Sequence, residues 1–216
     1  VIARQGFKTV AIVYEDNVFN VAIGDAAAHW AERFGLDVVG KLPFMDGDAE
    51  FPGIIKELQN KQPDGVVFSA YPGNSYKFLD ILKSNGYKPQ ALGMTIVPTY
   101  PDFYNRVGSF AEGVFGISQW EPDERIPFPG TATFIKEFRR FTGKEPSYHA
   151  GSAYASCQLL EQAIVKEGRI DHEQIREHIQ SLDSMTIIGR FKVDETGRQI
   201  GHNPILIQWQ EGKKEI

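Results

Sequence analysis

The side chains able to do chemistry are scattered along this chain, and their spacing argues against catalysis. His29, His149, His172, His178 and His202 show no zinc-ligand spacing, and His172 and His178 fall on different faces of one polar helix, as solvated surface histidines do. Asp46 and Asp48 open like a calcium loop but lack its later ligands, so they form an ordinary turn. Cys157, the one cysteine, sits on an apolar helix stripe and is expected in the core; a single thiol excludes an internal disulfide. Neither a Gly-x-Gly-x-x-Gly nor a Gly-x-x-x-x-Gly-Lys-Ser/Thr loop is present, and no Gly-x-Ser-x-Gly elbow occurs. No cofactor and no enzymatic activity are expected. Four stretches are more telling: Phe19, Tyr71, Thr95 and Gln119-Trp120 each follow an apolar run. If those runs are parallel strands, all four lie at one sheet edge. There they line an aromatic crevice with few charges, which suits a small organic ligand.

The elements that would hold them alternate steadily. Thr9–Tyr14 is apolar on both faces, as a strand covered by helices must be. Ile23, Ala26, Ala27, Trp30 and Phe34 then repeat at helical spacing. A strand at 36–44 precedes a helix carrying Phe51, Ile54, Ile55 and Leu58. A strand at 66–70 precedes a helix capped by Asn74 or Ser75, bearing Phe78, Ile81 and Leu82 and closed by Asn85-Gly86. Strands at 91–95 and 113–118 flank a proline-punctuated stretch. The pattern predicts an α/β fold, a doubly wound parallel sheet with right-handed crossovers.

The alternation stops at 119–129, which reads as a linker or hinge crossing with Pro122, Pro127 and Pro129. Helices follow with Phe134, Phe138 and Phe141 on one face, then Ala153, Cys157, Leu160 and Ile164, then Ile175, Ile179 and Leu182 after a cap at Asp171. Strands are expected at 189–194, before a turn at 195–197, and at 204–210. A formal charge of −5 over 216 residues argues against nucleic acid or an anionic membrane as the main partner. No segment approaches the roughly 18 consecutive apolar residues of a membrane span. No signal peptide is visible, and the chain begins almost on its first strand, as a piece of something longer would.

Four motifs in order carry a resemblance: Lys8-Thr-Val-Ala-Ile-Val-Tyr-Glu-Asp-Asn17, Tyr148-His-Ala-Gly-Ser-Ala-Tyr-Ala155, Gly189-Arg-Phe-Lys-Val-Asp-Glu-Thr-Gly197 and Gln208-Trp-Gln-Glu-Gly-Lys213. The set resembles the type I periplasmic binding proteins of ABC importers, in the branched-chain amino acid receptor group. The likeness runs over nearly the whole chain. In that family two α/β lobes close on a solute and present it to a membrane permease. The resemblance implies a ligand-binding lobe at 1–118, a hinge crossing with a partial other lobe at 119–203, and a return strand at 204–216. The opening segment of the first lobe has no counterpart here. Its absence would leave the 134–164 helices uncovered, so self-association, or disorder beyond residue 120, is expected.

By the same resemblance, Phe19 and Tyr71 match positions that touch the ligand, and Tyr148-His149 approximates a ligand-facing position at a crossing. Thr95 departs from the family, whose amino acid receptors place an acid there for the ligand's α-ammonium. Thr95 carries no charge, and Glu15 and Asp16 are expected to face solvent. An uncharged or carboxylate-bearing, aromatic solute is therefore expected ahead of a zwitterionic amino acid. The function implied is that of a periplasmic solute-binding component, holding a small organic solute in an interlobe cleft. A ligand-sensing domain of a receptor with the same fold is the alternative. A flavodoxin-like or Rossmann-like enzyme stands further off, because Glu15-Asp16-Asn17 has the wrong charge for a phosphate loop.

Overall fold

The computed structural model describes residues 2–45, 47–123, 125–126 and 128–216, and of Asp48 only the backbone. The chain divides into two compact units: Val1–Ile117 with Leu206–Ile216, and Ser118–Ile205.

The first unit is built on a mainly parallel sheet. Its strands are β1 (Thr9–Glu15), β2 (Asp37–Phe44), β3 (Gly65–Ser69), β4 (Ala91–Met94), β5 (Phe115–Ser118), β8 (Ile205–Gln210) and β9 (Lys213–Glu215), in the order β2-β1-β3-β4-β5-β8-β9. β1 pairs in parallel with both β2 and β3, β3 with β4, and β4 with β5, while β9 returns antiparallel to β8 as a short hairpin. The β8–β9 hairpin turns through Glu211 and Gly212, both at positive φ, and three residues of β9 alternate too briefly to announce a strand.

Two faces of the sheet are covered differently. On one, α2 (Gly47–Lys61) and α3 (Pro72–Ser84) bury Phe51, Ile55, Leu58, Phe78, Leu79 and Leu82 against Phe44, Phe68 and Leu92. Phe68 and Phe78 stack at 4.1 Å, with Phe44 and Phe51 beside them, so the strand and helix periodicities meet in one aromatic cluster. On the other face, α1 (Val18–Arg33) packs with a different stripe from the one its periodicity suggests. Asn20, Gly24 and Ala31 are buried, while Trp30 and Phe34 stack on each other half or more exposed. The cause is close approach: a Cβ on Gly24 would stand 2.9 Å from the Tyr14 ring, so only small residues fit between helix and sheet.

α3 also starts earlier than expected. Tyr71 is its N-cap residue and Pro72 opens the helix, where a missing N–H costs nothing. Ser75, expected as a cap, is buried in the helix and donates its hydroxyl to the Ala70 carbonyl at 3.1 Å. At the far end Gly86 takes the left-handed conformation after Asn85, as anticipated.

The amino-terminal ends of β1 and β3 are tied by Asp64. Its Oδ2 accepts from the Lys8 and Thr9 amides at 2.8 and 2.9 Å and from the Thr9 hydroxyl at 3.0 Å. Those donors, led by the Lys8 amide, hold the Asp64 carboxyl below its ordinary range. A depressed carboxylate contributes stability that is complete above the unfolded pKa, about 3.9, and is lost as pH falls through the lower folded value. Asp64→Asn is therefore expected to be less stable than the parent at pH 7, with the gap narrowing below pH 4. Urea melts at pH 7 and pH 3 check this, and a gap that widens in acid would contradict it.

The second unit contains α5 (Thr131–Thr142), α6 (Tyr148–Glu167), α7 (His172–Ser181) and a two-stranded hairpin, β6 (Asp183–Thr186) with β7 (Gly189–Lys192). In the first unit, β4 and β5 are joined through the short α-helix α4 (Phe103–Val107), flanked by 3-10 turns at Val97–Thr99 and Gly108–Ala111. Asp171 caps α7 by accepting from the Gln174 amide at 3.1 Å. The core of this unit is Trp120, Phe134, Ile135, Ala155 and Ile187. Its turn at 195–197 is closed by Gly197 N–H donating to Asp194 O. β6 was not anticipated: Asp183-Ser-Met-Thr has little apolar alternation, and it is held as a strand by pairing with β7 and by Asp183 accepting from Arg190.

Candidate functional site

In the 2-1-3-4-5 strand order the topology reverses between β1 and β3, and the crevice beyond the carboxyl ends of those two strands is where such sheets take ligands. The residues found there are Phe19, in the first turn of α1, and Tyr71, at the start of α3. Their rings are 6.1 Å apart and within 17° of parallel, and both are half exposed. The pair forms an aromatic platform open to solvent at the sheet's switch point.

Backbone anchors hold this platform. The Glu15 carboxylate, expected in solvent, instead accepts from the Tyr71 backbone N–H at 2.9 Å and ties the end of β1 to the start of α3. Asn17 caps α1 by accepting from the Asn20 N–H at 3.0 Å, which sets Phe19 on the first turn. Thr95 follows β4 directly, half buried, with its N–H donated to Phe68 O at 3.1 Å and its hydroxyl 3.5 Å from Ser69 Oγ.

The residue after Thr95 is strained. Ile96 has φ 54° and ψ −73°, a tight γ-turn in which Val97 N–H donates to Thr95 O at 2.7 Å. A β-branched residue in that region costs on the order of 1–3 kcal/mol and persists where its surroundings impose it, most often at functional sites. Nothing in the sequence signals this turn, since a glycine would be the ordinary occupant.

Tyr148 and His149 belong to the second unit, as the first two residues of α6, with rings stacked at 3.9 Å. Trp120 departs from expectation. It is wholly buried, edge-on to Phe134 at 5.8 Å and against Gly151, so it forms core rather than a crevice wall. Cys157 is exposed rather than buried, because α6 turns Gly151, Ala155 and Ala163 inward instead. The stripe expected to be core remains outside: Leu160 is 45% exposed, and Ile164 lines an apolar groove of about 530 Å³ with Leu160, Ile170, Ile175 and Ile179. Phe141, Val165 and Ile170, the last of which lines the groove, are each 75% exposed in the same unit. Of the histidines, His202 is not simply solvated, for its Nε2 is buried. Of the expected Asp46/Asp48 turn, Asp46 lies outside the described residues and the Asp48 backbone belongs to the first turn of α2. Among the described residues no cluster of three metal-ligating side chains occurs, and no helix is long and apolar enough to cross a membrane.

The periplasmic binding protein family model matches residues 1–214, and the chain belongs to that family. It is 22% identical over 214 residues to Leu/Ile/Val-binding protein homolog 7 of Brucella suis, and 25% identical over 217 residues to homolog 8 of Brucella abortus. Each match covers 94% of this chain and 53% of the relative, so the chain spans about half the length of the curated relatives it matches. Among solved structures, the leucine binding protein LivK of Thermotoga maritima superposes with a TM-score of 0.86 at 18% identity, covering 99% of this chain and 61% of that one. A solute-binding protein of R. palustris in complex with benzoate superposes at 0.82 and 18% identity, covering 99% and 59%. The fold is that of the type I periplasmic binding proteins.

Proposed function

We propose that this chain is part of the solute-binding component of an ABC importer, working outside the cytoplasm and delivering its solute to a membrane permease. It acts by binding, without a catalytic step. The observation that carries this is the Phe19–Tyr71 pair, half exposed and nearly parallel at the β1/β3 switch point. Thr95 supplies a neutral polar contact at the neighbouring strand end, and Tyr148 and His149 complete the set of proposed ligand-facing residues. The solute has an apolar or aromatic body and is uncharged or carries a carboxylate. A fold neighbour solved with benzoate supports that charge range, and relatives named for Leu/Ile/Val binding support the apolar body alone.

A thermal-shift panel of leucine, isoleucine, valine, benzoate, hydroxybenzoates, 2-hydroxy acids, FMN and NAD tests this reading on protein made from the complete coding sequence. Saturation a hundredfold above Kd adds about 2.7 kcal/mol, which raises Tm by about 5–10 °C for a chain of this size. An organic acid is expected to do so. A comparable shift with FMN or NAD and none with the acids would contradict the proposal.

The groove along α6 and α7, with its exposed apolar neighbours, leads to a separate expectation. Apolar patches beyond a few hundred Å² rarely stay bare in soluble proteins. Prepared as these 216 residues alone, the chain is expected to self-associate through this face, with a second copy as its cover. Light scattering should show a dimer or larger species that Ile170→Lys with Leu160→Lys returns to monomer. A monomer that binds no hydrophobic dye would contradict this.

A further inference from the structure

A buried chain of polar side chains runs from α1 to the strand end beside the aromatic pair, and its hydrogen-bond direction can be worked out from one backbone amide. The Asn20 N–H can only donate, so the Asn17 atom receiving it at 3.0 Å is the carbonyl oxygen Oδ1. That oxygen also lies 3.1 Å from the Asn20 side-chain amide, which must present Nδ2 to it. Asn20 Oδ1 therefore points the other way, where Ser69 Oγ stands 2.7 Å from it. An amide oxygen only accepts, so the single hydroxyl hydrogen of Ser69 is committed there. Asn20 and Ser69 are fully buried, and neither can exchange these partners for water.

Ser69 Oγ is left with lone pairs alone. The donor that reaches it is Thr95 Oγ1 at 3.5 Å, long for a hydroxyl pair and oriented in one sense only. In that contact the hydrogen can come only from Thr95, which leaves the Thr95 lone pairs to accept from elsewhere. The Thr95 carbonyl is occupied by Val97 N–H across the strained turn at Ile96, which holds the residue in place.

We infer that this relay makes Thr95 a hydrogen-bond acceptor toward the solute, so that the solute presents a neutral O–H or N–H there, with Asn20 and Ser69 as positioning residues. The inference rests on the solute-binding reading above and narrows its substrate class to carboxylates or neutral compounds bearing a separate donor. A carboxylate oxygen at Thr95 would set lone pairs against lone pairs, and an ammonium would meet an uncharged oxygen.

Calorimetry on protein from the complete coding sequence tests it with two matched pairs: 2-hydroxy-4-methylpentanoate against 4-methyl-2-oxopentanoate, and 4-hydroxybenzoate against 4-fluorobenzoate. The hydroxyl member of at least one pair is expected to bind about tenfold or more tightly than its partner. Ser69→Ala frees the Thr95 hydrogen to turn outward, so that preference should shrink or invert. Thr95→Val, at a half-buried position that tolerates the change, should bring the ratio near one. A merely structural role would weaken both members of a pair alike and leave the ratio unchanged. Equal binding within both pairs, or an unchanged ratio in both variants, overturns the inference and leaves the solute-binding reading standing. No binding by any of the four at millimolar concentration overturns the inference, while the solute-binding reading is decided by the thermal-shift panel above.

Discussion

Trp120→Ala is expected to cost about 3–5 kcal/mol of stability, the largest effect of any single substitution considered, because it empties the core of the second unit. The indole is fully buried, meets Phe134 edge-on, and lies so close to α6 that a Cβ on Gly151 would stand 2.9 Å from it. The surrounding Ala155, Ile135 and Ile187 come from three different elements, which cannot all collapse into one void. Trp120→Phe should cost much less, since it keeps most of the ring volume and removes a buried indole N–H that finds no acceptor among the described residues. Urea melts followed by circular dichroism check both, because losing the indole changes the fluorescence directly. Equal costs for alanine and phenylalanine would mean that the site does not act as packed core.

The double substitution Phe19→Ala with Tyr71→Ala is expected to weaken solute binding by about 2 kcal/mol, roughly thirtyfold in Kd, with little change in Tm. The two rings are half exposed and stack on each other, so the folded unit depends little on them. In the proposed function their role is the face they offer to a ligand. Each single variant should show part of the loss, and Tyr71→Phe almost none, because the position is anchored by its backbone N–H to Glu15 rather than by the side chain. An unchanged Kd in the double variant would move the binding site away from the β1/β3 edge.

What could be read from the sequence followed from how many residues vote for one answer. Thr9–Tyr14 and the Phe51, Ile54, Ile55, Leu58 stripe each place several apolar side chains in one periodicity, and both are buried as that periodicity requires. Where one contact decides, the pattern misled. α1 has a good apolar stripe through Trp30 and Phe34, yet the close approach of Gly24 to the Tyr14 ring goes with burial of a different stripe, Asn20, Gly24 and Ala31. α6 likewise turns its small residues inward, so Cys157 and Leu160 lie outside. At the candidate site the post-strand positions of Phe19, Tyr71 and Thr95 were legible, because strand ends in a doubly wound sheet share an edge. The Glu15 anchor, the Ile96 turn and the Asn20–Ser69 relay were not. Each depends on atoms brought together across 26 to 56 residues of chain or on a backbone angle that no residue type announces.

We propose that the chain holds a small organic solute without transforming it. Native mass spectrometry of protein made from the complete coding sequence, before and after incubation with the organic acid that gives the largest thermal shift, tests this most directly. One intact solute per chain, released chemically unchanged on denaturation and lost from the Phe19→Ala, Tyr71→Ala variant, is the predicted result. A bound nucleotide, a chemically altered product, or no bound organic solute under any of these conditions would contradict it.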